Sequence, residues 1–406
     1  MTATRKLLYV LNALAVLQLW SCSSDEVVST SGQPESEVQM TFDVSAEEAM
    51  TRGEAISSTS FVQSGRQFKL WGWMTEKINE TTDRTAPLVS DFNSNPLTAI
   101  PVTYNAASSN WTVEQTFYWP RPKYRADFFA IYPADIETSF SADTKTITYT
   151  SGAPFDGNTD LMYATYSDQR AERDNSEKQR TVYLRFHHAM AQILFFGQLS
   201  AEFQTLGWDI EVKKIEIHNM NGAGVFTLKS AYEDLGSAYG IGNNQGRGGA
   251  TAISFAPAST STLTTYAPAM NTTGGAANPV NPVLSGSLQK QLTSPTDVLM
   301  VLPQTLTAWT PTTSASATPS TTDSYIAVEL RAVAHDGETT TYPLKTDGSY
   351  ITVYAPFTSP TTSGFEGGKI YKYTLTLGSS VSMTAAITPW TTPETITPEK
   401  PLYPNH

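Results

Sequence analysis

The chain has 406 residues, with 26 Lys plus Arg against 38 Asp plus Glu and a net charge of -12. That length holds two or three domains with real cores, and the acidic balance argues against a nucleic-acid partner, whose phosphates need a basic face. Charged residues make up only 16%, below the quarter usual in soluble domains; Thr, Ser, Gly, Pro and Tyr fill the gap, as in all-β extracellular proteins with long loops.

In chain order, Arg5 and Lys6 open the sequence as a basic start, and residues 7–20 follow as an apolar core. That core has signal-peptide length and is too short for a comfortable membrane span. Cys22 is the one cysteine, so no intrachain disulfide can form. Leu19-Trp20-Ser21-Cys22 resembles a bacterial lipobox, which makes Cys22 the expected lipidation site and residues 1–21 the signal peptide. The other reading is an ordinary secretory signal with a chance cysteine. Ser24-Asp25-Glu26 also resembles the acidic surface-export signal of Bacteroidetes lipoproteins. Residues 23–36 are polar and read as a tether.

Val38, Met40, Phe42 and Val44 then alternate with Gln39, Thr41 and Asp43. Strict alternation predicts a half-buried strand over residues 37–44. Just beyond it, Arg52 stands between Thr51 and Gly53 in a stretch of small and acidic residues. A trypsin-like protease needs such a lone basic residue, although the residue also reads as an ordinary solvated arginine. Further strands are predicted over residues 68–73, 111–118, 124–132 and 146–149. The charge run at 167–180 marks a domain boundary.

After that run, Val182, Leu184 and Phe186 alternate, and residues 189–196 are almost continuously apolar. The segment reads as one strand passing from a half-exposed to a fully buried setting. Residues 210–220 alternate again and end at the turn signal Asn221-Gly222. Later strands are predicted over 297–302, 325–334, 350–354, 369–377 and 381–387. The glycine-rich stretch 236–250 and the Thr/Ser/Ala/Pro tracts near 257–282 and 310–323 read as loops. Pro393, Pro398, Pro401 and Pro404 mark the tail after Trp390.

Residue types able to carry chemistry are present without usable spacing. His187 and His188 are adjacent in a strand and so face opposite ways; both read as packed or satisfied histidines. Residues 156–160 (DGNTD) imitate the start of a calcium loop but place Leu161 and Ser167 where glycine and a carboxylate belong. Gly240, Gly242 and Gly246 have the wrong spacing for a dinucleotide loop. There is no G-x-S-x-G and no H-E-x-x-H. The expectation is a non-enzyme with no cofactor and no metal. Converging carboxylates of the glycosidase kind stay open, because sequence spacing does not report them. The tryptophans and tyrosines read as scattered core and surface aromatics, a sugar platform being the other reading.

Segments in order along most of the chain resemble the fimbrillins, the type V pilus subunits of Bacteroidales, and their minor-fimbrium-like precursors. They are Thr51-Arg52, YRADFFAIYPAD (124–135), DLMYAT (160–165), LRFHHAMAQILF (184–195), IEIHNMNGAGVF (215–226), VLPQTL (301–306) and YTLTLGSSVSMTAAITPW (373–390). The resemblance implies an all-β protein of two tandem β-sandwich domains with transthyretin-like topology, over residues 53–178 and 179–390. Residues 22–52 would be tether and first strand, and 391–406 a proline-rich tail. It further implies a lipoprotein precursor at the outer membrane, cut between Arg52 and Gly53 so that the strand of Val38, Met40, Phe42 and Val44 is removed. A strand from a neighbouring subunit would then fill the groove, build a fibre and serve adhesion to a host or bacterial surface ligand. Arg66 is the competing cut site. The donor strand lies either at 381–387 or in the proline-rich tail. An uncleaved, lipid-bound anchor and a non-polymerising carbohydrate-binding lipoprotein are the alternative readings.

Overall fold

The computed structural model describes residues 41–46, 61–77, 83–87, 99–114, 116–117, 124–141, 146–150, 157–169, 181–229, 253–257, 263–274, 277–311, 319–334, 348–378 and 381–389. In chain order the strands begin β1 (Thr41–Ala46), β2 (Gln67–Lys77), β3 (Asp83–Pro87), β4 (Ile100–Asn105), β5 (Asn110–Val113) and β6 (Tyr124–Tyr132). Next come β7 (Thr138–Ser141), β8 (Thr146–Thr150), β9 (Met162–Gln169), β10 (Thr181–His188) and β11 (Ala191–Leu199). After the short helix α1 (Ala201–Leu206) follow β12 (Trp208–Asn221), β13 (Gly224–Lys229), β14 (Ile253–Pro257), β15 (Leu263–Tyr266), β16 (Val283–Leu284) and β17 (Lys290–Gln291). The last are β18 (Leu299–Val301), β19 (Tyr325–Ala334), β20 (Ile351–Pro356), β21 (Lys369–Leu377) and β22 (Val381–Pro389). The all-β class expected from the sequence is what the chain adopts.

The first sheet runs β1-β10-β9-β6-β2-β4-β5, with β3 paired to β2. Its two ends curl toward each other, since β1 and β5 are in contact. Inside the curl lies a core that includes Phe68, Leu70, Val102, Phe128, Ala130, Val182, Leu184 and Phe186. The opposite face of the same sheet is buried too, through Trp71, Phe129, Ile131 and Tyr163. Burial on both faces explains why 128–132 and 161–164 read as continuous apolar runs with no alternation.

Two further sheets, β17-β11-β21-β22 and β15-β12-β19-β20, enclose the largest core as a β-sandwich. In β19, Ile326, Val328 and Leu330 point inward while Glu329 and Arg331 are partly exposed, the alternation of a one-faced strand. A bulge between Val212 and Lys214 shifts the β12–β19 register. The helix α1 is capped at its start by Ser200, whose hydroxyl accepts from the Phe203 amide at 3.3 Å. It ends at Gly207, which takes the left-handed φ of 69° that suits glycine.

A fourth sheet, β14-β13-β8-β7, joins strands from before and after the charge run. There β8 runs antiparallel to β13, with Tyr149 opposite Phe226. Phe226 and Leu228 pack with Trp71, Phe129 and Tyr163 in a third core.

The apolar run at 182–196 differs from its sequence reading. It forms two strands: β10 belongs to the first sheet and β11 to the sandwich. The chain changes sheet at Ala189-Met190. The Ala189 amide donates to Leu161 O at 2.8 Å, and the Gly368 amide donates to Met190 O at 2.9 Å. Gly367 comes so near that a Cβ there would lie 2.5 Å from Ala189 O. Because residues 188–195 are buried without a break across the switch, periodicity could not reveal it.

Candidate functional site

The arrangement around β1 is the candidate site. Every other strand pairing of the first sheet is antiparallel, but β1 lies parallel to β10, with Phe42 opposite Val182, Val44 opposite Leu184 and Ala46 opposite Phe186. It stands at the end of the sheet order and, among the described residues, is hydrogen-bonded to one neighbouring strand. Phe42 is half-buried, whereas Val44 and Ala46 are 8% and 7% exposed. Successive strand residues face opposite ways, so these three side chains share one face and close the first core. An edge strand that caps a core leaves both unpaired backbone and apolar surface behind if it departs.

The strand runs two residues past the end expected from the sequence. Ser45 and Ala46 continue the alternation, but alanine is a weak strand former, so the pattern looked finished at Val44. Val38, Met40, Cys22, Arg52 and Gly53 lie outside the described residues.

The core that Ala46 joins beside Phe186 is aromatic. Phe186 lies 5.0 Å, ring centre to ring centre, from both Phe61 and Phe68, and each of those lies 5.0 Å from Trp111. Tyr132 meets Phe61 edge-on at 5.2 Å. Phe61 is fully buried although a polar segment precedes it. Sequence reasoning passed it over; an isolated aromatic after a polar stretch was the available signal. Arg66, the competing cut site, donates to the Tyr132 hydroxyl and sits 5.9 Å above that ring. Burial raises the Tyr132 pKa even though the Arg66 charge and hydrogen bond pull it down.

The other edge of interest is β22. It pairs antiparallel with β21 from Lys369↔Pro389 to Leu377↔Val381. Val381, Met383 and Ile387 only partly cover the sandwich core, and no side chain from 381 to 388 is fully buried.

Several polar groups elsewhere are tied into the structure. His188 Nδ1 lies 3.0 Å from the Asp160 carboxylate, both side chains being buried. His187 sits beside the Tyr163 ring, 5.6 Å between centres. Gly157 takes a φ of 79°, and its carbonyl accepts from the Met300 amide at 2.7 Å; Asp156 is outside the described residues. The Gly240–Gly246 stretch is also outside them. On the sandwich, Glu211 accepts from the Tyr350 hydroxyl, Asn281 Nδ2 and Arg331 Nε, each at 2.7 Å. An apolar recess is walled by residues including Ile131, Leu161, Met162, Phe226 and Ile253. Among the described residues no three His, Cys, Asp or Glu side chains group as metal ligands.

The fimbrillin-like family profile matches residues 51–390. The chain belongs to the fimbrillin-like family. Its solved relatives include a fimbrial protein from Bacteroides vulgatus ATCC 8482, with 16% identity and a TM-score of 0.55, covering 87% of this chain and 99% of that one. A protein ascribed to cell adhesion from Bacteroides uniformis ATCC 8492 has 14% identity and a TM-score of 0.39, covering 88% and 100%. The tip fimbrial protein Mfa3 of Porphyromonas gingivalis, with C-terminal truncation, has 11% identity and a TM-score of 0.36, covering 87% and 100%. No curated protein matches the chain. Membership of this family implies a place in a cell-surface fimbrium beside other fimbrial subunits.

Proposed function

We propose that this fimbrillin-like chain is a structural pilus subunit, of stalk or tip, that reaches the outer membrane as a lipoprotein through Cys22. Cleavage between Arg52 and Gly53 then frees β1, and a strand from a neighbouring subunit takes its place against β10. A division into two tandem domains and the transthyretin-like topology belong to the same reading. The role is structural and adhesive, not enzymatic.

The observation that supports it most is the setting of β1. A parallel edge strand contributes buried Val44 and Ala46 to a core that also holds Val182, Leu184 and Phe186 of the neighbouring strand. Losing it opens an apolar groove beside an unpaired strand, the arrangement that favours strand addition. The donor is β22, which carries no proline from 381 to 388 and buries little in its own sheet. The tail after Trp390 has four prolines, each of which removes a ladder donor.

Treatment with an arginine-specific protease should convert a monomeric precursor into fibres that begin at Gly53, read by N-terminal sequencing and electron microscopy. Arg52→Ala should leave a folded monomer. Normal fibres from Arg52→Ala, with no other nearby basic residue cut, would sink the mechanism.

A further inference from the structure

The groove held by β1 is not uniform along its length. Phe42, opposite Val182, is only half-buried, so a large side chain there spills toward solvent. Val44 is nearly covered. Ala46 lies opposite Phe186 and shares its core cluster, and that ring meets Phe61 and Phe68 at 5.0 Å, each of which lies 5.0 Å from Trp111. Phe61, Phe68 and Phe186 are each 0% exposed. Cores packed to this density have no room for added methylenes, and a larger side chain would have to push aromatic rings off their rotamers. The groove therefore tapers from an open end to a closed one.

We propose that the aromatic floor centred on Phe61 is a register stop: it admits only a very small side chain at the third inward position of whichever strand lies against β10. The inference rests on the strand-exchange reading and specifies what the incoming strand must carry. Its occupant is β22 of a second copy of this chain, in the orientation of β1, with Val381, Met383 and Ala385 in the places of Phe42, Val44 and Ala46. A flexible methionine fits the middle position more readily than a branched side chain of equal size. The strand β20 has a similar pattern in Ile351, Val353 and Ala355. Its Ala355 and the following Phe357 are 3% and 0% exposed in the sandwich core, so that strand is held where it is.

The test uses two neighbouring alanines. Ala385 and Ala386 are both exposed in β22, so Ala385→Leu and Ala386→Leu remove no packing from the subunit's own fold. In full-length chains carrying a site-specific protease sequence over residues 48–53, polymer growth after cutting is followed by light scattering. Ala385→Leu should slow growth about tenfold or more, while Ala386→Leu, facing away from the floor, should grow like the unaltered sequence. Adding Phe61→Leu to the Ala385→Leu chain should restore growth. Equal rates for both alanine variants, slowing by Ala386→Leu instead, or no restoration by Phe61→Leu would each overturn the stop. If the unaltered chain is cut and forms no polymer, strand exchange falls and the size rule is read another way. The nicked chain with Ala46→Leu should then release residues 1–47 faster than the chain with Ala46 does, and equal release would overturn it.

Discussion

At Glu211 two opposing effects meet on one carboxyl. Burial alone would raise its pKa, but hydrogen bonds from Tyr350, Asn281 and Arg331, with the Arg331 charge, outweigh burial and hold it below the ordinary 4.5. A group depressed in the folded state stabilises above its unfolded pKa, and that contribution is lost as pH falls through the lower folded value. Glu211→Gln should therefore flatten the decline in stability on acidification from pH 7 toward pH 3. It should also cost about 1–3 kcal/mol at neutral pH, where Arg331 loses its charged partner. Urea midpoints measured across that range check both effects; an unchanged acid slope would refute the assignment. None of this was legible in the sequence, because Glu211, Asn281, Arg331 and Tyr350 meet only when β12 pairs with β19 and β16, and β19 with β20. His187 and His188 were more legible. Their adjacency in a strand already required opposite faces, and one is found buried against Asp160 while the other lies beside Tyr163.

Among the elements, strands whose apolar run stays within one sheet were the readable ones. The strands β6, β19 and β21 have the bounds their residues suggested, and β1 was recognisable from Phe42 and Val44. What failed was the passage through Ala189-Met190, where neighbouring residues serve different cores and the period vanishes. The pairing of β8 with β13 was equally hidden, since local pattern carries no information about a partner across that distance in the chain. The strand β1 has a consequence of its own at this scale. Val44→Ala deletes two methyl groups from a nearly covered site, about 1–2 kcal/mol by transfer energy. That loss should appear as a lower guanidinium midpoint of the uncut chain, and an unchanged midpoint would show that Val44 adds nothing to the first core.

For the whole molecule, the third core matters most, because it joins residues on both sides of the charge run. Phe226 stacks with Tyr149 at 6.2 Å and meets Phe255 at 4.8 Å, and it shares its cluster with Trp71, Tyr163 and Ile370. Such a contact couples the unfolding of the first sheet to that of the sandwich. Phe226→Ala should cost about 3–5 kcal/mol and split a single calorimetric transition into two. A variant that lowers one undivided transition would show that the coupling runs elsewhere.

The parallel pairing of β1 bears also on the order in which the chain can fold. Thr41 lies opposite Thr181, so the ring closed by this contact spans nearly the whole of the first sheet. Closing a loop of that length costs about 4 kcal/mol in chain entropy, and nothing repays it until β10 exists. Hairpins such as β4–β5 and β7–β8 face no such delay, since their strands are near neighbours in the chain. The leading strand is thus the earliest part of this sheet to be synthesised and among the last to find its seat. Contacts of long sequence separation form late. A strand that arrives late, on one edge, can also be surrendered without unpicking any hairpin beneath it.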